Sequence, residues 1–355
     1  MRLAVVLALM AISLPAWAEE QVRIAVAEDL ASADISGSAL ELSPWTDEPS
    51  FTPLHRDLVH VGLKKGALTL DGKPAGEALR IQAHAGLLKV HGFAVRGTVD
   101  IKATPKGLLV VNAIPLEDYL AAVLGGEMPP VFPEEALKAQ AVAARTYAIQ
   151  RKLDAYGHAY HLGATVLSQV YGGAGREDAR TRAAVQATAG QILTFDLAPI
   201  EAYFHASCGG KTESGKAALG RDLPYLRPVS CPCTEDPKTS WSLELPDRVV
   251  SKDFHVDADD LKVAVRSTTG RALALTDGAH RIDAVTFRRV LGYDKVKSLG
   301  FVIEHAGDKL ELKGRGLGHG AGLCQIGAKV LAEKGWGYQR ILEHYYPGAV
   351  IQRMY

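Results

Sequence analysis

IPLEDYLAAVLGGEMPPVFPEEALKAQAVAARTYAIQRKLD, residues 114–154, decides how this chain is read. Before it the sequence has the texture of strands, and here it turns to helix. The pattern predicts a first helix over about 116–124, ended by Gly125-Gly126, because glycine commonly terminates helices. A second, longer helix has Pro133 near its start, Glu134 and Glu135 in its first turn, and Arg151-Lys152 near its end. That order suits both the proline preference at helix starts and the helix macrodipole. Its many alanines allow close packing against neighbours. Between the helices lies GGEMPP, which holds the carboxylate of Glu127 between two rigid elements, a common placement for functional groups. On residue type and placement alone Glu127 reads first as a surface charge, because exposed charged residues are the usual case.

Upstream, VRIAVAE, HVGLKKGALTLDG, ALRIQAHAG and LLKVHG alternate apolar and polar residues between Gly, Pro and Asp breaks, which predicts strands. Asp71-Gly72 is a tight-turn dipeptide. Downstream, 175–190 reads as a helix ending at Gly190, followed by strands QILTF and IEAYFHAS. Residues 240–312 return to mixed β character. The end offers a Gly-rich loop, a helix near 322–334 and another near 338–345. The expected fold class is α+β: a helical core with a β-rich N-terminal segment and a β-rich insertion. The expected divisions are a signal peptide at 1–18, the β-rich segment at 19–100, the core at 101–235 and 311–355, and the insertion at 236–310.

The signal peptide rests on Arg2, a dozen apolar residues after it, and small residues in Ala16-Trp17-Ala18. The apolar run is short of the roughly 20 residues that span a bilayer, so the expected destination is the periplasm or cell-wall space with no stable membrane span. Lys+Arg and Asp+Glu both total 40, and this balance gives no electrostatic case for nucleic acid or an anionic membrane surface as partner. A substrate should be found by shape and hydrogen bonding.

The stretch VNAIPLEDYLAAVLGGEMPPVFPEEALKAQAVAARTYA resembles a signature of the stage II sporulation protein D / LytB family. GHGAGLCQIGAKVLAEKGWGYQRILEHYYPGAVI resembles the second signature, and SQVYGG (168–173) and AYFHASCGGKTESG (202–215) match in order between them. The resemblance implies an exported lytic transglycosylase that cuts peptidoglycan glycan strands stripped of their stem peptides. It maps the family's catalytic glutamate onto Glu127, acting first as acid and then as base without an activated water. Burial against Met128 would raise the pKa of Glu127 and suit the acid role. The LytB branch implies instead a wall-binding protein that stimulates an N-acetylmuramoyl-L-alanine amidase. A glycan hydrolase is a third reading; it needs a second carboxylate, for which the chain offers Glu117, Asp118 and Glu213 without singling one out.

The resemblance also nominates a substrate groove. Ser168, Gln169 and Tyr171 supply hydrogen bonds and an aromatic face for a sugar, Ser207 lies in the stretch 202–215, and His319 and Gln325 lie in the terminal signature. Gln140 and Arg145 are polar on an alanine-rich helix and either orient Glu127, contact sugar or serve the core. Arg145 is expected away from Glu127, since a close cation would favour the ionised carboxylate. No cofactor is required for this chemistry. His205, Cys208, Cys231 and Cys233 form a candidate zinc set, structural because all four ligands are protein, although Cys231-x-Cys233 is tighter than the usual spacing. A disulfide from Cys208 to Cys231 or Cys233 competes with it, and Cys324 is expected to be a small core residue.

Overall fold

The computed structural model of the chain describes residues 20–164 and 169–355, so the expected signal peptide lies outside the described residues. The N-terminal part is a largely antiparallel sheet. Its order runs from the short strand Leu162–Gly163 through Gln21–Leu30, Gly107–Pro115, Thr98–Thr104, Ala78–Val90, Ser32–Pro44, Leu58–Lys64 and Ala67–Leu70 to Lys73–Pro74. Alternation places Val22, Ile24, Ile35, Val99, Ile101 and Val110 in the core with no solvent exposure. Asp71 and Gly72 both adopt positive φ in the turn between Ala67–Leu70 and Lys73–Pro74. The sheet does not stop at residue 100. Thr98–Thr104 and Gly107–Pro115 form a hairpin across that expected boundary, and the second of these strands delivers the chain to the first helix.

Helix α1 spans Leu116–Glu127 and α2 spans Glu134–Asp154, with Pro133 as the N-cap of α2. Thirteen residues of α2 are buried, which identifies it as the central helix. Its buried alanines, among them Ala136, Ala139, Ala143 and Ala148, let α1, α3 (Ala179–Ala187) and the C-terminal helices approach closely. Helix α3 is held at its start by a capping box between Asp178 and Thr181. The strand Gln191–Phe195 follows as expected and pairs with Val350–Arg353, closing the C-terminus onto the core. Of the expected strand IEAYFHAS, Phe204–His205 pairs in parallel with Leu323–Cys324, and Ser207 makes a single antiparallel bridge to Leu317. The one-turn helix α4 (Gly215–Leu219) ends at Gly220 in the left-handed conformation.

Residues 240–315 build a second apolar core around Trp241, Val250, Leu261, Phe287, Phe301, Leu310 and Leu312. Ser240–Pro246, Lys309–Arg315 and Phe301–Ala306 make one three-stranded sheet, and Lys262–Arg266, Ala272–Thr276 and Arg281–Asp283 make another. Helices α5 (Asp247–Phe254) and α6 (Ala284–Leu291) pack with them. Ser240 lies opposite Arg315, so the inserted chain leaves and returns at one point. The strand Lys309–Arg315 therefore belongs to this unit and crosses the expected boundary at 310. Helices α7 (Gln325–Glu333) and α8 (Tyr338–Tyr345) return to the main core. The fold is α+β. No helix among the described residues is long and apolar enough to cross a membrane.

Candidate functional site

Glu127 is the last residue of α1, and the glycine pair before it does not end the helix as expected. Those glycines admit neighbouring backbone. A Cβ on Gly125 would lie 1.9 Å from the Arg176 carbonyl oxygen, and one on Gly126 would lie 2.7 Å from that of Val170. The requirement is tertiary, imposed by segments 51 and 44 residues further along. Leu116, Leu120, Val123 and Leu124 are buried on α1, and at about 1.5–3 kcal/mol for each large side chain they fix the helix that carries the carboxylate.

The close approach at Gly126 brings Val170 to the carboxylate, and its N–H donates to Glu127 Oε1 at 2.8 Å. The side chain of Gln325, at the start of α7, also hydrogen-bonds Glu127. Burial nonetheless raises the pKa of Glu127 above the ordinary carboxylate range, against the lowering effect of these two bonds. The next residue, Met128, is itself buried. Gln140, completely buried on α2, extends the polar chain: its Oε1 accepts from Gln325 Nε2 at 3.5 Å, while its own Nε2 has no partner among the described residues. Three segments far apart in sequence thus converge on one half-buried carboxyl group.

Other nominated residues depart from the groove expected of them. Gln169 is fully buried, accepting from the Tyr119 hydroxyl at 2.7 Å and donating to the Ala144 carbonyl at 3.2 Å. Tyr171 is also buried and donates to Asn112 Oδ1 at 2.6 Å. Their side chains hold the segment that presents the Val170 N–H and are not open to a sugar; the sequence could show their polarity but not which way they face. Ser168 lies outside the described residues. Ser207 is buried as well, its backbone paired in both directions with Leu317.

Arg145 is fully buried and far from a groove role. Its guanidinium makes a two-pronged pair with Glu117, both bonds at 2.7 Å, and donates to the carbonyls of Val185 and Gln191. Glu117 also accepts from the Tyr355 hydroxyl. Asp118 is paired with Arg182 at 2.9 Å, and Glu213 is held by Ser267, Thr269 and Arg271 of the insertion. Each of the three carboxylates considered as a second catalytic group is engaged in the fold.

His319 is half-buried and both ring nitrogens are used by backbone. Nδ1 accepts from the Ala321 N–H at 3.1 Å, which leaves Nε2 to donate to the Phe204 carbonyl at 2.9 Å. The ring stands 5.3 Å from that of His205, centroid to centroid. Burial, the largest cause, lowers the His319 pKa to about 4, and burial with the nearby His319 and Arg271 holds His205 well below its usual value. The unfolded chain takes up protons as the pH falls through about 6.5, whereas the fold resists until about 4. Stability from this pair is therefore complete above about 6.5 and is lost as the pH drops toward 4. Denaturant unfolding between pH 7 and 4.5 should show this slope, and His319→Gln should flatten it; an unchanged slope contradicts the assignment.

The cysteine set differs from expectation at one position. Cys208, Cys231, Cys233 and Cys324 bring their sulfurs together, all buried, while His205 turns its Nδ1 to the Ala321 carbonyl at 3.1 Å. Cys324, expected to be a plain core residue, is the fourth member. Sequence spacing could not find it, because it comes 91 residues after Cys233. A separate cleft of about 570 Å³ at the junction with the insertion is lined by Lys211, Arg266, Arg315 and Trp241, and Glu127 is not part of it.

Comparison with known proteins agrees with the motifs. The family model "Stage II sporulation protein" matches residues 104–195, which include α1, Glu127, α2 and α3. A stage II sporulation protein D of Bacillus subtilis is 32% identical over 290 residues, covering 73% of this chain and 82% of that protein. An uncharacterized protein of Brachyspira hyodysenteriae is 35% identical over 69% of this chain and 68% of its own length. The amidase enhancer of Bacillus subtilis is 29% identical, with 65% of this chain matching 40% of that longer protein. On this extent of identity, carried through the segments that surround Glu127, the chain belongs to the stage II sporulation protein D family.

Proposed function

We propose that the protein is an exported lytic transglycosylase of peptidoglycan glycan strands from which the stem peptides have been removed. The observation that carries this reading is Glu127: a carboxyl group on a rigid helix end, half-buried, with its pKa raised by burial. The raised pKa keeps part of the population protonated nearer neutrality, as a general acid requires. Glu127 gives its proton to the oxygen bridging N-acetylmuramic acid and N-acetylglucosamine, and the bond from that oxygen to the anomeric carbon breaks. The C6 hydroxyl oxygen of the same muramic acid then bonds to the anomeric carbon, and its proton passes to the Glu127 carboxylate. The products are a 1,6-anhydro end and a free hydroxyl on the departing sugar, with the enzyme restored.

In this sequence of steps the Val170 N–H and Gln325 fix the carboxyl orientation and stabilise its ionised form midway. Gln140 holds Gln325 in turn. A hydrolase would need another carboxylate to activate water, and the engagement of Glu117, Asp118 and Glu213 elsewhere favours the single-carboxylate route.

The similarity to an amidase enhancer supports a second reading, in which the protein binds the wall and stimulates an N-acetylmuramoyl-L-alanine amidase. Peptide-free glycan strands and intact peptidoglycan separate the two. Cleavage of the bare strands by the purified protein alone is expected. No cleavage, together with faster release of peptides when an amidase is added, would replace the first reading with the second.

A further inference from the structure

Four cysteines from three distant stretches of chain meet at one buried point. The sulfurs of Cys208, Cys231, Cys233 and Cys324 all lie within 4.8 Å of one another, with those of Cys208 and Cys233 at 3.5 Å. A tetrahedral zinc holds thiolates at about 2.3 Å, which separates neighbouring sulfurs by about 3.8 Å. The cluster needs only small side-chain adjustments to reach that geometry. We infer that these four thiolates form a structural zinc site that clamps the start of α7 to the loop at Cys208 and the turn at Cys231–Cys233.

The surroundings suit thiolates. Backbone N–H groups of Cys208 and Gly327 donate to Cys324 Sγ, both at 3.3 Å, and that of Gly210 donates to Cys233 Sγ at 3.2 Å. The Tyr345 hydroxyl lies 3.0 Å from Cys231 Sγ. Donors of this kind orient metal ligands and spread their charge. Gly327 leaves the necessary room, since a Cβ there would lie 2.3 Å from Cys231 Sγ and 2.0 Å from the Tyr345 oxygen.

Binding one zinc releases four thiol protons to solvent and leaves a centre of net charge −2. The buried guanidinium of Arg271, which donates to the Cys208 carbonyl at 2.6 Å, lies beside it. Two disulfides would join the sulfurs only in pairs and would not call for three N–H donors on two of them. Four protein ligands leave no open position, so the metal's role is mechanical.

That role reaches the candidate catalytic group. Cys324 immediately precedes Gln325, whose side chain hydrogen-bonds Glu127. Fixing Cys324 fixes the start of α7 against the carboxylate. This consequence rests on the proposed role of Glu127; the presence of zinc does not.

The test uses the exported full-length mature protein, purified without reductant or chelator. Elemental analysis should give one zinc per chain, and intact mass under denaturing, non-reducing conditions should correspond to four thiols. Replacing zinc by cobalt should produce the thiolate charge-transfer and intense visible bands of a tetrahedral sulfur site. Cys233→Ser should lose the metal, and if that variant does not fold, the wild-type zinc content and cobalt spectrum still decide. Absence of zinc, whether with a mass lowered by disulfide formation or with four free thiols, overturns the inference. Zinc without strand cleavage would count against the proposed function alone, and strand cleavage without zinc against the clamp alone.

Discussion

Glu127→Gln is expected to abolish cleavage of peptide-free glycan strands while leaving the fold intact. The amide keeps the shape of the side chain, and its carbonyl oxygen still accepts the Val170 N–H that meets Glu127 Oε1 at 2.8 Å. In the proposed mechanism, what disappears is the proton that is donated and then retrieved. Proton transfer by a positioned group contributes about 10²–10⁴-fold to rate. Here one group serves both steps, so the loss should reach at least the upper part of that range. Stability should hold or rise, because burial already disfavours the ionised carboxylate, as the raised pKa shows. The wild type should accordingly lose activity as the pH climbs through the raised Glu127 pKa and its acid form is depleted. A Glu127→Gln protein that unfolds at the wild-type denaturant concentration yet still cuts strands would remove this residue from the mechanism.

The largest effect on stability is expected at Arg145. This guanidinium has no solvent exposure and is paired through two bonds of 2.7 Å with Glu117. It also meets the carbonyl of Val185 near the end of α3, where a cation is favoured by the helix dipole. Arg145→Met removes the charge, strands the Glu117 carboxylate and leaves the Val185 and Gln191 carbonyls without this donor. Breaking a buried pair in this way typically costs about 3–5 kcal/mol. Glu117 is partly exposed and keeps the Tyr355 hydroxyl, which places the expected loss toward the lower end. Adding Glu117→Gln should recover part of it, since the two side chains act together. Urea unfolding of both single variants and the double variant measures the coupling. Independent, additive effects would contradict the pairing.

The sequence revealed local features well and distant convergence poorly. Asp71-Gly72 announced its turn because both residues tolerate positive φ, a property of those two positions alone. Pro133, Glu134 and Glu135 announced the start of α2 for similar local reasons. Gly125-Gly126 misled because the same residue type serves two ends: it can stop a helix, or it can admit a neighbour's carbonyl, and only the tertiary fold chooses. Gln169 and Tyr171 carried the right polarity for a sugar but spend it on Tyr119, Ala144 and Asn112. Cys324 showed no metal-like spacing, because its three companions lie across the inserted unit of residues 240–315. In each of these cases the missing information was which remote segment would arrive.

The same limit applies to Glu127. The sequence offered a carboxylate on a short loop; the fold places it at a helix end, between the backbone of Val170 and the side chain of Gln325. Its surroundings, more than its identity, support the acid and base roles proposed for it.

The central claim is that no water enters the reaction, and isotope labelling tests it most directly. Peptide-free strands are digested by the wild-type protein in water enriched in oxygen-18, and the fragments are analysed by mass. Single-carboxylate chemistry predicts unlabelled fragments whose new ends are lighter than reducing ends by one water, as a 1,6-anhydro ring requires. Fragments carrying the heavy oxygen at a reducing end would show that water attacks the anomeric carbon, and would contradict the mechanism.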